Sequence, residues 1–135
     1  MITREDAANA EVKEKLIAYN MSKLPDSVKT PLESVTFVSR EEGELVGGIT
    51  GTMFWRNLHI DFLWVKEEMR GSGLGRELLR KIETYAKENG CHLMLLDTFS
   101  FQAPGFYMNE GFEVCGEVKD HPKGYTLYYL MKRLT

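Results

Sequence analysis

The stretch that most restricts the fold is 74–89, where Leu74, Leu78, Leu79, Ile82, Tyr85 and Ala86 recur on one helical face and Arg80, Lys81, Glu83, Lys87 and Glu88 occupy the other. An apolar stripe of that width has to be buried against another element. It lies between two short apolar runs, 58–65 and 91–97, of the type that forms strands covered on both faces. Strand, helix, strand in this order predicts a right-handed βαβ unit with two parallel strands. Gly90 is its expected C-cap.

The flanking segments complete the sheet. Residues 6–21 carry Val12, Leu16, Ile17 and Tyr19 at near-helical spacing, and Pro25 closes that segment. Residues 35–40 alternate as a strand, Glu42-Gly43 marks a turn, and 45–54 follows with Gly47, Gly48 and Gly51, a pattern that signals a bulge or a close backbone approach. A second turn near Arg56-Asn57 leads into 58–65, so three strands on short turns should form an antiparallel meander. Pro104 opens a short helix ending at Gly111, and two strands, 113–118 and 125–131, finish the chain. The expected fold is α+β: a central mixed sheet of six to seven strands, an antiparallel meander plus a splayed parallel pair, flanked by about three helices. Residues 1–135 are expected to form a single domain, since the chain shows no repeat, linker or low-complexity tract.

The helix entrance is the segment Arg70-Gly-Ser-Gly-Leu-Gly75, three glycines in five positions. Glycine lowers helix propensity, so this density needs a reason. The first N–H groups of a helix have no intrahelical acceptor and carry the positive end of its dipole. Without Cβ atoms at Gly71, Gly73 and Gly75 a phosphate can approach those amides, and Arg70 and Arg76 add fixed positive charge with bidentate geometry. Spacing separates the ligand classes. No Lys follows any of these glycines, which excludes a P-loop, and Arg76 stands where a dinucleotide fingerprint needs its third glycine. Coenzyme A remains.

Arg70-Gly-Ser-Gly-Leu-Gly75 resembles the Arg/Gln-x-x-Gly-x-Gly/Ala motif of the GNAT superfamily of N-acetyltransferases. The segment Phe106-Tyr107-Met-Asn-Glu-Gly-Phe112 is similar to that family's Phe-Tyr-x-x-x-Gly-Phe segment, and both stand in the family's order. The resemblance covers about residues 32–131, and the stretch Asp97-Thr-Phe-Ser-Phe-Gln-Ala-Pro104 resembles a bacterial subgroup. It implies that strands 58–65 and 91–97 splay apart and hold pantetheine between them. The backbone of Leu63, Trp64 and Val65 would then bond the pantetheine arm, with an N–H near Val65 polarising the thioester. Gly71, Ser72, Gly73, Leu74, Gly75 and Arg76, with Arg70, would hold the pyrophosphate, and Phe106 would pack beside the pantetheine. Ser72 is also read as the helix N-cap. The implied activity is direct acetyl transfer from acetyl-CoA to a primary amine, carried by a small molecule or exposed on a protein, without a metal. A non-catalytic acyl-CoA-binding sensor is the alternative.

The resemblance also places Tyr107 at the coenzyme sulfur, where a phenol of ordinary pKa about 10 can serve as proton donor. For the base, strict alternation puts His59, Asp61, Leu63 and Val65 on one strand face and Leu58, Ile60, Phe62 and Trp64 on the other. Asp61 is the first candidate and His59 the second. His92 and His121 suit a strand and a turn, and Ser100 lacks a Ser-His-Asp arrangement. The acceptor site is expected near residues 20–34 and 120–124.

With 17 basic and 20 acidic residues, net charge −3, the chain lacks the basic excess of a nucleic-acid binder. Cys91 and Cys115 have no ligand-spaced partners and are read as small buried strand residues in a reducing compartment. The charged first residues do not suit a signal peptide and no apolar run is long enough for a membrane span, so a cytoplasmic location without membrane partners is expected. An aromatic strand at 125–131, taken as a sheet edge, suits a homodimer contact.

Overall fold

The chain separates into two units, Met1–Thr30 and Pro31–Thr135, in a computed structural model that describes residues 1–135. In the first, a 3-10 turn at Asp6–Ala8 leads into helix α1, Asn9–Lys23, and a second turn follows at Asp26–Val28. The helix stops because Leu24 precedes Pro25, whose ring disfavours a helical residue before it, and Leu24 is extended at ψ 144. It buries none of its residues.

The second unit is built on six strands: β1 (Glu33–Glu41), β2 (Glu44–Phe54), β3 (Asn57–Val65), β4 (Leu93–Phe99), β5 (Glu113–Lys119) and β6 (Thr126–Arg133). Their spatial order is β1-β2-β3-β4-β6-β5, with β3 and β4 the one parallel pair. Helix α2 (Leu74–Glu88) connects that pair, as its apolar stripe predicts, and helix α3 (Pro104–Asn109) follows β4. The aromatic strand at 125–131 is therefore not an edge. It is β6, enclosed by β4 and β5, because the last hairpin folds back to insert its second strand; β5 is the edge.

Turn chemistry sets the meander. Glu42 and Gly43 both have positive φ, the requirement of a two-residue hairpin turn whose twist matches its strands. The next hairpin turns at Trp55 and Arg56, one residue earlier than Arg56-Asn57, and places two bulky residues at φ 51 and φ 59. This is an uncommon conformation for side chains of that size. The Arg56 carbonyl accepts the His92 N–H at 2.9 Å, which anchors the turn to the start of β4.

The core lies between the sheet and α2. Leu78, Leu79, Ile82 and Ala86 of α2 pack with Ile49, Leu58, Ile60, Met94 and Leu130, all nearly or fully buried. Lys132 ties β6 to α2 through Glu83 at 2.6 Å, and Tyr85 donates to Glu33 of β1 at 2.6 Å. Cys91 is buried beside Met53, but Cys115, on the edge strand β5, is exposed.

Two features signalled by the glycines of β2 both occur. Thr50 pairs with Phe62 and Gly51 with Ile60, so Asp61 is the extra residue of a β-bulge. The bulge overturns the strict alternation expected along β3. Leu58 and Ile60 face the core, yet so do Leu63 and Val65, whereas Phe62 is 75% exposed and Trp64 is 47% exposed. One inserted residue exchanges the two faces. The close approach is at Gly47 and Gly51: a Cβ at Gly47 would lie 2.9 Å from Leu74, and one at Gly51 3.0 Å from Ile82 and 3.1 Å from the His59 carbonyl. These absent side chains let α2 rest directly on β2. Gly51→Val is expected to cost about 2 kcal/mol, as overpacking of a full core does, read as a lower urea midpoint. Gly116→Ala, where the nearest atom to a new Cβ is 3.8 Å away, should not lower it.

Candidate active site

Parallel pairing between β3 and β4 stops after three residue pairs, Asn57 with Leu93, Leu58 with Met94 and His59 with Leu95. Beyond that point the strands diverge. The Lys66 N–H bonds the Val46 carbonyl on β2 at 2.8 Å, so strand alternation turns the amides of Val65 and Leu63 to the opposite edge, into the gap. The fork thus presents unpaired main-chain groups, which need a partner when water is excluded.

A cleft of about 730 Å³ opens over one side of this fork. Leu63, Trp64 and Val65 line it from β3, Arg70, Gly71, Gly73, Gly75 and Arg76 from the α2 entrance, and Phe106 and Tyr107 from α3. The first intrahelical bond of α2 runs from the Glu77 N–H to the Gly73 carbonyl. The amides of Leu74, Gly75 and Arg76 therefore have no helical acceptor. Gly71 and Gly73 sit at φ 79 and φ 91, with no atom within 4 Å of where a Cβ would stand. Glycine is required there twice over, for backbone conformation and for open space.

Three of the expected loop contacts differ in detail. Ser72 is not the N-cap: Gly73 occupies that position without a side-chain cap, and the Ser72 hydroxyl turns back to donate to the Met69 carbonyl. Leu74 packs its side chain inward against Gly47, leaving only its amide at the helix mouth. Arg76 lines the cleft, but its Nε pairs with Glu110 at 3.0 Å, tying α2 to the end of α3. Arg70 sits at the end of β3, its Nε donating to the Val65 carbonyl at 3.4 Å.

Tyr107 is held edge-on between Phe106, with ring centres 5.1 Å apart, and Phe112, at 5.9 Å. Burial pushes its phenol up to about 12, because the phenolate would lose water without gaining a countercharge. It lines the large cleft and also a second pocket of about 230 Å³, which reaches into the fork between Asp61 and Phe62 on β3 and Asp97 and Thr98 on β4. The two cavities share Leu63, Trp64, Gln102 and Tyr107.

Their charges are opposite. The large cleft carries Arg70 and Arg76 and no acidic residue; the small pocket carries Asp61 and Asp97 and no basic one. The two expected base candidates are in contact, His59 Nδ1 lying 2.8 Å from Asp61 Oδ1. Asp61 Oδ2 accepts from Thr52 at 2.7 Å, and His59 Nε2 faces Asp97 Oδ1 at 3.4 Å. A histidine thus bridges the two strands where their backbones part.

Asp97 and Gln102 lie in the stretch 97–104 that resembles a bacterial subgroup, but the sequence assigned neither a role. Asp97 is a single carboxylate at a strand end. Gln102 acts through its Oε1, which accepts the Phe99 N–H at 2.9 Å and holds the turn from β4 to α3. No group of three or more His, Cys, Asp or Glu side chains is arranged to hold a metal, and no helix is long and apolar enough to cross a membrane.

Comparison with known proteins agrees with this architecture. The chain is 42% identical to the blasticidin-S acetyltransferase of Streptomyces morookaense over 106 residues, 77% of this chain and 78% of that protein. The crystal structure of an acetyltransferase from Bacillus cereus superposes with a TM-score of 0.95 at 50% identity, covering 99% of this chain and 96% of the other. At 20% identity and a TM-score of 0.68, a Bacillus anthracis protein solved in complex with acetyl coenzyme A shares the fold over 78% of this chain and 65% of its own. The family model described as Acetyltransferase (GNAT) family matches residues 5–112, so the chain belongs to that family of acetyltransferases.

Proposed function

We propose that this protein transfers the acetyl group of acetyl-CoA directly to a primary amine carried by a small molecule. The observation that carries this reading is the partition of charge across the fork. A cleft with two arginines and a glycine-lined helix mouth suits a diphosphate, and an adjoining pocket with two carboxylates suits an ammonium group. The acetyl-CoA complex of the Bacillus anthracis relative and the blasticidin-S acetyltransferase activity named for the Streptomyces relative both support it.

In this reading the amides of Gly71, Gly73, Gly75 and Arg76, with the Arg70 side chain, bind the pyrophosphate. The main chain of Leu63, Trp64 and Val65 pairs with the pantetheine arm, and Phe106 packs against it. A Val65 N–H aimed at the thioester oxygen stabilises the charge that develops there; removing one such donor typically costs about 3 kcal/mol. Asp61, supported by His59, accepts a proton from the incoming ammonium. The freed nitrogen forms a bond to the acetyl carbon, the carbon–sulfur bond breaks as the oxyanion collapses, Tyr107 gives its proton to the departing sulfur, and the second proton that the nitrogen sheds as the amide forms returns to the Tyr107 phenolate. A phenol raised to about 12 enters this step protonated.

Tyr107→Phe is expected to lower kcat by roughly 100-fold or more, in the range for loss of a positioned acid, measured as thiol release from acetyl-CoA with a panel of primary amines. In an absorbance titration, the variant should also lose the ionisation step near pH 12. Unchanged turnover would remove Tyr107 from the chemistry. Gly73→Glu puts a carboxylate into open space at the helix mouth. Calorimetry should then find acetyl-CoA affinity at least about tenfold weaker, a difference of 1.4 kcal/mol; equal affinity in both proteins is incompatible with a pyrophosphate on this loop. Binding without thiol release for any amine would favour a sensor of acyl-CoA over an enzyme.

A further inference from the structure

The two carboxylates of the small pocket are not equivalent. Asp61 is satisfied within the protein, one oxygen facing His59 and the other accepting from Thr52. Asp97 has only the long 3.4 Å approach of His59 Nε2 to one oxygen, and its second oxygen has no protein partner, on a side chain 46% exposed. No Lys or Arg lines the pocket to neutralise it. Its mouth is flanked by Phe62 and Trp64, large rings that the bulge at Asp61 turns away from the core and leaves 75% and 47% exposed. A carboxylate with an open oxygen beside exposed aromatic faces attracts a cation by charge and by the ring quadrupoles. At about 230 Å³ the space falls below the roughly 300–1,000 Å³ that takes a whole drug-sized ligand. It admits an aliphatic arm.

We infer that Asp97 is a specificity-determining residue that holds a second positive charge of the acceptor, so that the preferred substrates are amines carrying two cationic centres. The inference rests on the reading of this pocket as the acceptor site. Asp61 receives the proton of the nitrogen that is acetylated, and Asp97 pairs with the cation that is not. The phosphate-binding cleft contributes nothing to this choice, because its charge is of the opposite sign.

The test is calorimetric and needs no turnover. Hexamethylenediamine and hexylamine are titrated at neutral pH into the protein saturated with free CoA, and into the protein alone, for wild type, Asp97→Asn, Asp97→Glu and Asp61→Asn. The diamine is expected to bind wild type at least about tenfold more tightly than the monoamine, as a charged hydrogen bond allows. That ratio should fall to within about threefold in Asp97→Asn and persist in Asp97→Glu and Asp61→Asn. Equal affinities in wild type, a preference retained by Asp97→Asn, or no heat with either amine would overturn the inference. The outcomes separate it from the enzymatic reading: thiol release with equal amine affinities keeps the enzyme and discards Asp97, whereas a diamine preference without thiol release keeps Asp97 and discards the enzyme.

Discussion

The structure depends on a deliberate failure of strand pairing. A parallel pair gains its stability from an even ladder of hydrogen bonds, and here that ladder ends after three pairs, at His59 and Leu95. Everything at the candidate site follows from the space this opens. The amides of Leu63 and Val65 are left facing the gap, the glycine-lined start of α2 lines the cleft that opens there, and α3 brings Tyr107 to both cavities. Such unpaired main-chain groups are tolerated only where a solvent or ligand partner replaces the missing strand.

Several local devices keep the fork open without unravelling the sheet. Gly47 and Gly51 let α2 lie close on β2, so the helix that bridges the two strands is anchored to the meander. The bulge at Asp61 keeps Leu63 and Val65 on the core side and turns Phe62 and Trp64 outward. His59 spans the divergence, reaching Asp61 on its own strand and Asp97 on the other. Glu110, largely shielded at 14% side-chain exposure, joins Arg76 and Arg80 of α2 to the end of α3. These ties are short-range and partly solvated. Individually each contributes little, and their value is in fixing direction.

Charge is sorted across the fork. In the proposed reaction a polyanionic thioester and an amine have to meet at one carbon atom, and opposite signs in the two cavities would sort them before any specific contact forms. Tyr107 lines both cavities, and burial pushes its phenol up to about 12, so it is protonated at neutral pH, as the proposed proton donor must be.

Much of this was legible in the residues. The amphipathic stripe at 74–89, the runs on either side and the short hairpin turns determined the βαβ unit, the meander and the order of elements, because periodicity and turn chemistry are local properties. The glycine and arginine pattern pointed to the helix mouth for the same reason. What only the tertiary structure decided is which side chains meet. The bulge that exchanges the faces of β3, the insertion of β6 inside the sheet, the packing of the Leu74 side chain on Gly47 and the pairing of Arg76 with Glu110 all arise from register and packing between segments distant in sequence. Asp97 opens the subgroup-like stretch 97–104 yet received no role, because a carboxylate acquires its meaning from what surrounds it, and its surroundings come from β3, 36 to 38 positions earlier at Asp61 and His59.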